Sequence, residues 1–299
     1  MATHEAQEDA RNEDILIYVD GQIVPKEKAV VSVYDSGFML GDGVWEGLRL
    51  YNGHIAFLEL HLDRLWEAAL YIDLDIGLSR AELIQAVWDT LKANEMTSDV
   101  HLRVMVTRGR KKKPFQHPHL SLFGSTVVII AEHSKPKLPE AGIRLHTVPH
   151  HRGLPLTQDA KLNSHSKLNC IIALNHALKA GADEALMLDP FGFVNTTNAC
   201  NFFIVKNGAL WTSTGDYCMN GITRAKVIEV ARADGIEVFE RNYSLVDTYV
   251  ADEAFLTGTF GAQTPVSEID GRAIGSGKGG PMLQRIRALY KAAVEADRA

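Results

Sequence analysis

The sequence predicts an α+β protein of two domains. Three observations carry that expectation. Strand and helix patterns intermingle without regular βαβ alternation. The 299 residues suffice for one large domain or two of ordinary size. A stretch rich in Pro, Lys and Gly, "HSKPKLPEAG", interrupts the pattern near the middle. The expected division is a domain over 1–132, a linker at 133–141 and a larger domain over 142–299.

In the first half, "DILIYVDGQIVP" reads as strand, Asp-Gly turn, strand. "LELHLDRLWEAALYI" and "RAELIQAVWDTLKANEM" have helical apolar spacing. "VHLRVMVTRG" places Val100, Leu102, Val104 and Val106 on one face of a half-buried strand. "STVVIIAEH" is apolar and β-branched, which suits a more deeply buried strand. In the second half, "GIRLHTVPHH" is a strand. A helix from about Leu168 carries Leu168, Ile171, Leu174 and Leu178 on one stripe and stops at Gly181. "NFFIVKNGALWTS" is a hairpin, "GITRAKVIEVARADG" a helix, "DEAFLTGTFGAQTPVSEIDG" strand, loop and strand, and a last helix starts near Pro281.

Composition narrows the function classes. Hydrophobic residues at 46% and charged residues at 23% are ordinary globular values. A net charge of −6 argues against a nucleic-acid binder. No apolar run approaches a membrane span, and "MATHEAQEDARNED" lacks the apolar core of a signal peptide, so a soluble, cytoplasmic protein is expected. The 3 cysteines are too few and scattered for a disulfide framework or zinc motif. "GSGKGG" at 275–280 lacks the Ser or Thr after Lys278 that a phosphate loop needs, and reads as the entry to the last helix. "RGRKKK" reads as a solvated loop. The histidines at 117, 119, 146, 150 and 151 lack carboxylate or Cys partners in register, so no metal is expected.

Chemistry concentrates elsewhere. "GITRAKVIEVA" offers Gly221, then backbone N–H groups at Ile222 and Thr223 and the positive end of a helix dipole, which together suit a phosphate. "TGTFGAQTP" at 257–265 is a second Gly- and Thr-rich loop directly after a strand. "HLDRL" puts Arg64 on a helix behind "WEGLRLYNG".

In order, "GDGVWEGLRLYNG", "HLDRL", "GADEALMLD", "NFFIVKNGALWTS", "GITR", "ADEAFLTGT" and "TPVSEIDG" resemble the class IV, fold-type IV pyridoxal-phosphate aminotransferases over nearly the whole chain. The resemblance implies two domains with pyridoxal 5′-phosphate at their interface, and a homodimer or larger homo-oligomer. It implies phosphate contacts from Arg64, Ile222, Thr223 and Thr259. Trp45 falls on the aromatic pocket position and Arg103 on an arginine used at the substrate pocket of some branched-chain enzymes. Backbone N–H groups around Thr259, Phe260 and Gly261 fall where the substrate α-carboxylate is received.

Two points need closer reading. "DAKLNSHSKLN" offers two lysines for the Schiff base. Lys161 lies 20 residues before Gly181 and Lys167 lies 14. The family's spacing favours Lys161 and leaves Lys167 as a neighbour at the helix start. Secondly, Thr196 in "FVNTTNACNFF" stands where the family has a Glu facing the cofactor's ring nitrogen, and a hydroxyl brings no charge there. The implied activity is a ping-pong transamination between a small hydrophobic, branched-chain-like amino acid and a 2-oxo acid such as 2-oxoglutarate. Alternatives on the same scaffold are a D-amino-acid or (R)-amine transaminase and an aminodeoxychorismate-type lyase. Thr196 also prompts a cofactor-depleted binding scaffold as a non-enzyme reading.

Overall fold

A computed structural model of the protein describes residues 8–136 and 141–298, which form two compact units. The first unit extends to Lys135 and also takes in Asn163–Lys167; the rest of the chain from Pro136 makes the second. The unit changes after Lys135, and residues 137–140 of the expected linker lie outside the described residues.

The first unit is an antiparallel sheet of six strands: β1 (Leu16–Val19), β2 (Gln22–Pro25), β3 (Gly43–Tyr51), β4 (His54–Ile55), β5 (Val100–Thr107) and β6 (Thr126–His133). Their spatial order is β2-β1-β6-β5-β3-β4. The β1–β2 turn needs positive φ at both central residues, and Asp20 (46°) and Gly21 (85°) supply it. Of the helices α1 (Ser36–Leu40), α2 (Leu58–Tyr71) and α3 (Arg80–Ala93), α2 packs on β3, and α3 on β1 and β6. Leu62, Leu65, Leu83, Val87 and Leu91 bury themselves there, opposite the inward residues Leu48, Leu102, Val104 and Ile129. As the alternation predicts, Val100, Leu102, Val104 and Val106 point inward. β6 differs from expectation. It alternates too, with Val127, Ile129 and Ala131 buried and Val128 and Ile130 half-exposed, because helices cover only one face of this sheet.

The second unit contains β7 (Ile143–Thr147), α4 (Leu168–Lys179), β8 (Glu184–Leu188), β9 (Val194–Thr197), β10 (Asn201–Lys206), β11 (Ala209–Thr212), α5 (Ile222–Ala233), β12 (Val238–Glu240), α6 (Leu245–Tyr249), β13 (Glu253–Gly258), β14 (Ala262–Ile269), β15 (Arg272–Ala273) and α7 (Pro281–Ala296). Strands β10-β13-β14-β7-β8-β9 form a ring that closes where Thr196 of β9 pairs Asn201 of β10. β7 runs parallel to both neighbours. One face of the sheet holds Leu145, Leu186, Phe202, Ile204, Leu256 and Val266 in a continuous core.

Two expectations are revised here. Leu168, Ile171 and Leu178 of α4 are more than half exposed. The helix packs through Ala173 and Ala177 against Val148, Ala185 and Met187, because only small side chains allow so close an approach. In the basic loop, Lys111 is buried, with Nζ donating to His117 O and Ser121 Oγ. No helix among the described residues is long and apolar enough to cross a membrane.

"GSGKGG" does lead into a helix, and the N–H groups at that helix start are already taken. The Glu253 carboxylate accepts from Met282 N and Leu283 N, 2.9 Å each, at the start of α7. Glu253→Ala strips that cap and is expected to lower stability by about 1–2 kcal/mol in urea unfolding; an unchanged midpoint would show that α7 starts without it.

Candidate active site

In the second unit, strand register builds a polar row. Thr196 lies opposite Asn201, Asn201 opposite Thr257, and Thr257 opposite Gln263. Residues directly opposite in antiparallel strands share a face, so all four side chains emerge together. All four are buried, at 5% exposure or less. Thr196 Oγ1 donates to Cys200 O at 2.6 Å, and Asn201 Nδ2 donates to Met219 O at 2.9 Å. Among the described residues, Thr257 Oγ1 and Gln263 Nε2 have no hydrogen-bond partner. Two such atoms side by side make this a candidate place for a polar ligand, since buried polar groups are usually paired.

The N-terminus of α5 adjoins this row: a Cβ on Gly221 would collide with Asn201 Oδ1. Gly221 is the N-cap and provides no side-chain cap, while Ile222 and Thr223 are buried. The β13–β14 hairpin ends at Gly258 paired with Ala262, which leaves Thr259, Phe260 and Gly261 as its tip. Of the predicted residues, Thr196 begins the row, Ile222 and Thr223 follow Gly221 beside Asn201, and Thr259, Phe260 and Gly261 form the hairpin tip beyond Thr257 and Gln263.

In the first unit, Trp45 and Arg103 project from β3 and β5 on the sheet face opposite Glu46. The Arg103 guanidinium lies 3.8 Å from the Trp45 ring centroid. Burial pushes its pKa down, and among the described residues no carboxylate pairs with it. The excursion Asn163–Lys167 fastens this platform. Trp45 N donates to Asn163 O, Asn163 Nδ2 donates to Trp45 O at 2.6 Å, and Trp45 Nε1 donates to Ser164 O at 3.1 Å. His165 N donates to Gly43 O, and its ring meets Val44 O. Burial pushes the His165 pKa down, with Arg103 and Lys167 adding to the effect and the Val44 contact opposing it.

The two lysines of "DAKLNSHSKLN" fall in different units. Lys161 belongs to the second, with the polar row, in an exposed turn where its backbone N–H donates to Asp159 Oδ1. Arg152 braces that turn. Its guanidinium donates to Ala160 O at 3.3 Å and to Tyr217 O at 3.4 Å, so it ties the residue before Lys161 to the loop that leads into α5. Lys167 belongs to the first unit, half-buried, with Nζ 5.8 Å from the Trp45 centroid.

Arg64 shares its helix face with His61, three residues earlier. Both reach Glu46, which is 1% exposed. Arg64 Nε and Nη2 each donate to the carboxylate at 2.7 Å, and His61 Nδ1 lies 2.7 Å from Oε2. Sequence reasoning missed Glu46 and His61. The signal was a charged residue at an inward position of an apolar strand. Arg152, Asn163, Thr257 and Gln263 were also missed, and only tertiary contacts reveal them.

Residues 43–269 match the family model of amino-transferase class IV. The chain belongs to this family. Class IV relatives include branched-chain-amino-acid aminotransferase-like protein 2 of Arabidopsis thaliana, 41% identical over 94% of this chain and 50% of that protein. The chain thus spans about half the length of the Arabidopsis relatives it matches. A putative branched-chain-amino-acid aminotransferase of Methanocaldococcus jannaschii is 40% identical over 92% of this chain and 95% of its own length. Among solved structures, the branched-chain aminotransferase of Thermoproteus uzoniensis with norvaline superposes with a TM-score of 0.85 at 32% identity, covering 94% of this chain and 95% of that one.

The buried Glu46 gives a pH signature. Burial opposes its ionisation, but Arg64 and His61 outweigh it and hold the carboxyl at about 2, below its ordinary 4.5. Its stabilisation is therefore complete above about 4.5 and is lost as pH falls toward about 2. Glu46→Gln leaves the half-buried Arg64 guanidinium without its counter-ion and is expected to cost about 3 kcal/mol at pH 7. In denaturation series from pH 7 downward the gap to the parent protein should narrow through that acid window. A gap that stays constant would contradict the assignment.

Proposed function

We propose that this chain is a pyridoxal-phosphate-dependent transaminase, exchanging an amino group between a small hydrophobic, branched-chain-like amino acid and a 2-oxo acid such as 2-oxoglutarate. The observation that carries this reading is the buried row with unpartnered Thr257 Oγ1 and Gln263 Nε2 beside an uncapped helix N-terminus. A polar, phosphorylated ring matches that set of donors and acceptors, so the residues present fit the cofactor. When bound, pyridoxal phosphate supplies an aldehyde that takes up the amino group and a conjugated ring that draws electrons from the neighbouring carbon.

The chain's own groups do the remaining work. Backbone N–H groups of Ile222 and Thr223 hold the phosphate at the positive end of α5, and the Thr259 hydroxyl adds a donor. The family resemblance assigns Arg64 to the same phosphate, and Glu46 fixes the plane of its guanidinium. Backbone N–H groups at Thr259, Phe260 and Gly261 receive the substrate α-carboxylate. Trp45 is the apolar wall for the side chain, and Arg103 takes the second carboxylate of a dicarboxylic 2-oxo acid.

Lys161 would supply the amine that holds the cofactor and, as a free amine, would move the proton at the substrate Cα. Two observations support it beyond the sequence spacing. It shares the second unit with the row and α5, and Arg152 fastens its turn to the loop before that helix. Lys167 instead lies with Trp45 in the first unit. The relatives named for branched-chain amino acids support the substrate class. A homodimer in the cytoplasm completes the proposal, with the exposed Leu168, Ile171 and Leu178 as apolar surface for a second copy.

The test is amino transfer by protein supplied with pyridoxal phosphate and 2-oxoglutarate, across L- and D-amino acids and primary amines. Glutamate should form with L-valine, L-leucine and L-isoleucine. Transfer from D-amino acids or amines alone would overturn the substrate class, and pyruvate release from an aminated ring acid would indicate a lyase. Borohydride reduction of the loaded protein followed by peptide mapping reads the bonded lysine. The pyridoxyl mass should sit on Lys161; finding it on Lys167 would reverse the assignment.

A further inference from the structure

We infer that the row Thr196–Asn201–Thr257–Gln263 is an uncharged wall that holds the cofactor's ring nitrogen in its unprotonated form. The inference rests on the cofactor reading above and goes on to the electronic state in which the ring is held.

The charge around the row carries the argument. Its four side chains are two hydroxyls and two amides, none of which ionises in the ordinary pH range. The acid next to it along the sheet, Glu184, is on the other face. Thr196 lies opposite Met187 of β8, whereas Glu184 lies opposite Leu145, a residue of the apolar core. Strand alternation thus turns Glu184 away from the row. Thr197, the neighbour of Thr196 and on the opposite face, donates to Glu184 Oε2 at 3.1 Å. The charge that does adjoin the row is positive. It comes from the start of α5; the buried Arg224 guanidinium is already paired with Glu240 at 3.0 Å and brings no net charge. Burial and neighbouring positive charge both disfavour a proton on a ring nitrogen.

Hydrogen bonding points the same way. A ring nitrogen without a proton accepts, and the row is supplied with donors. Gln263 Nε2 and the Thr257 hydroxyl are unpartnered. The Thr196 proton is also available. Cys200 O receives it at 2.6 Å, yet the same carbonyl is approached by Thr197 N at 2.9 Å and by Thr197 Oγ1 at 3.1 Å. The single Thr197 hydroxyl proton goes to Glu184, so the donors to Cys200 O are the Thr196 hydroxyl and Thr197 N, one for each lone pair. Turning the Thr196 hydroxyl toward a ligand leaves Cys200 O still bonded by Thr197 N. A protonated ring nitrogen would call instead for an anionic acceptor, and the row has none.

The consequence concerns catalysis. An uncharged ring draws electrons from Cα less strongly than a protonated one, so more of the burden of removing the proton falls on the lysine amine. Thr196 is a positioning residue in this sense. It sets the state of the ring and takes no proton from the substrate.

Nitrogen-15 NMR of the protein loaded with ring-labelled pyridoxal phosphate tests the inference without reference to turnover. The parent protein should show the resonance of a neutral pyridine at pH 7. Thr196→Glu places an anion in the row and should raise the ring nitrogen's pKa by about 1–3 pH units, moving the resonance toward that of the pyridinium. The parent measurement stands by itself where the variant fails to fold. A pyridinium resonance in the parent protein overturns the inference and leaves the cofactor reading intact. No retention of pyridoxal phosphate on equilibrium dialysis overturns both.

Discussion

The seam between Asn163–His165 and strand β3 is the constraint on which the first unit's chemistry depends. It ties Trp45 at its backbone N–H, its carbonyl and its indole nitrogen. A tryptophan so fixed cannot leave its rotamer without breaking hydrogen bonds in a half-buried place, where unmade bonds are expensive. Arg103 then has a rigid aromatic face to lie on, and Lys167 is delivered to the same ring. A five-residue return of the chain thus decides the position of an aromatic wall and two cations at once.

Charge is handled in two opposite ways within that unit. On the helix-covered face, Glu46 meets Arg64 and His61, so a buried charge is matched at hydrogen-bond distance. On the other face, Arg103 lies on Trp45 with no carboxylate partner among the described residues. Alternation along β3 separates Trp45 from Glu46 and keeps the two arrangements from cancelling. The matched side confers rigidity, and the unmatched side is receptive to an anion. In the second unit the same contrast appears between α7, whose N–H groups are satisfied by Glu253, and α5, whose first residues have no side-chain cap.

Much of this was legible in the sequence, for identifiable reasons. The Asp-Gly hairpin, the alternation of β5 and the amphipathic α2 follow from local chemistry that needs no tertiary context. The start of α5 was also readable, because Gly221 followed by Ile222 and Thr223 announces a helix N-terminus. What was not legible depends on long-range register. Thr257 and Gln263 acquire meaning only when β13 pairs β14. Apolar periodicity misled on α4, where Ala173 and Ala177 make the contact and the larger residues face outward. Nor does anything local reveal that the chain crosses to the other unit between Lys161 and Lys167, which is what sets the two lysines apart.

The central claim is that the row Thr196–Asn201–Thr257–Gln263 and the start of α5 form a seat for pyridoxal phosphate. A crystal structure of the protein grown with pyridoxal phosphate tests it most directly. The account predicts phosphate density within hydrogen-bond reach of the Ile222 and Thr223 N–H groups, with the ring over the row and Thr257 Oγ1 and Gln263 Nε2 no longer unpartnered. Phosphate density elsewhere, or a row that remains unpartnered beside bound cofactor, would contradict it.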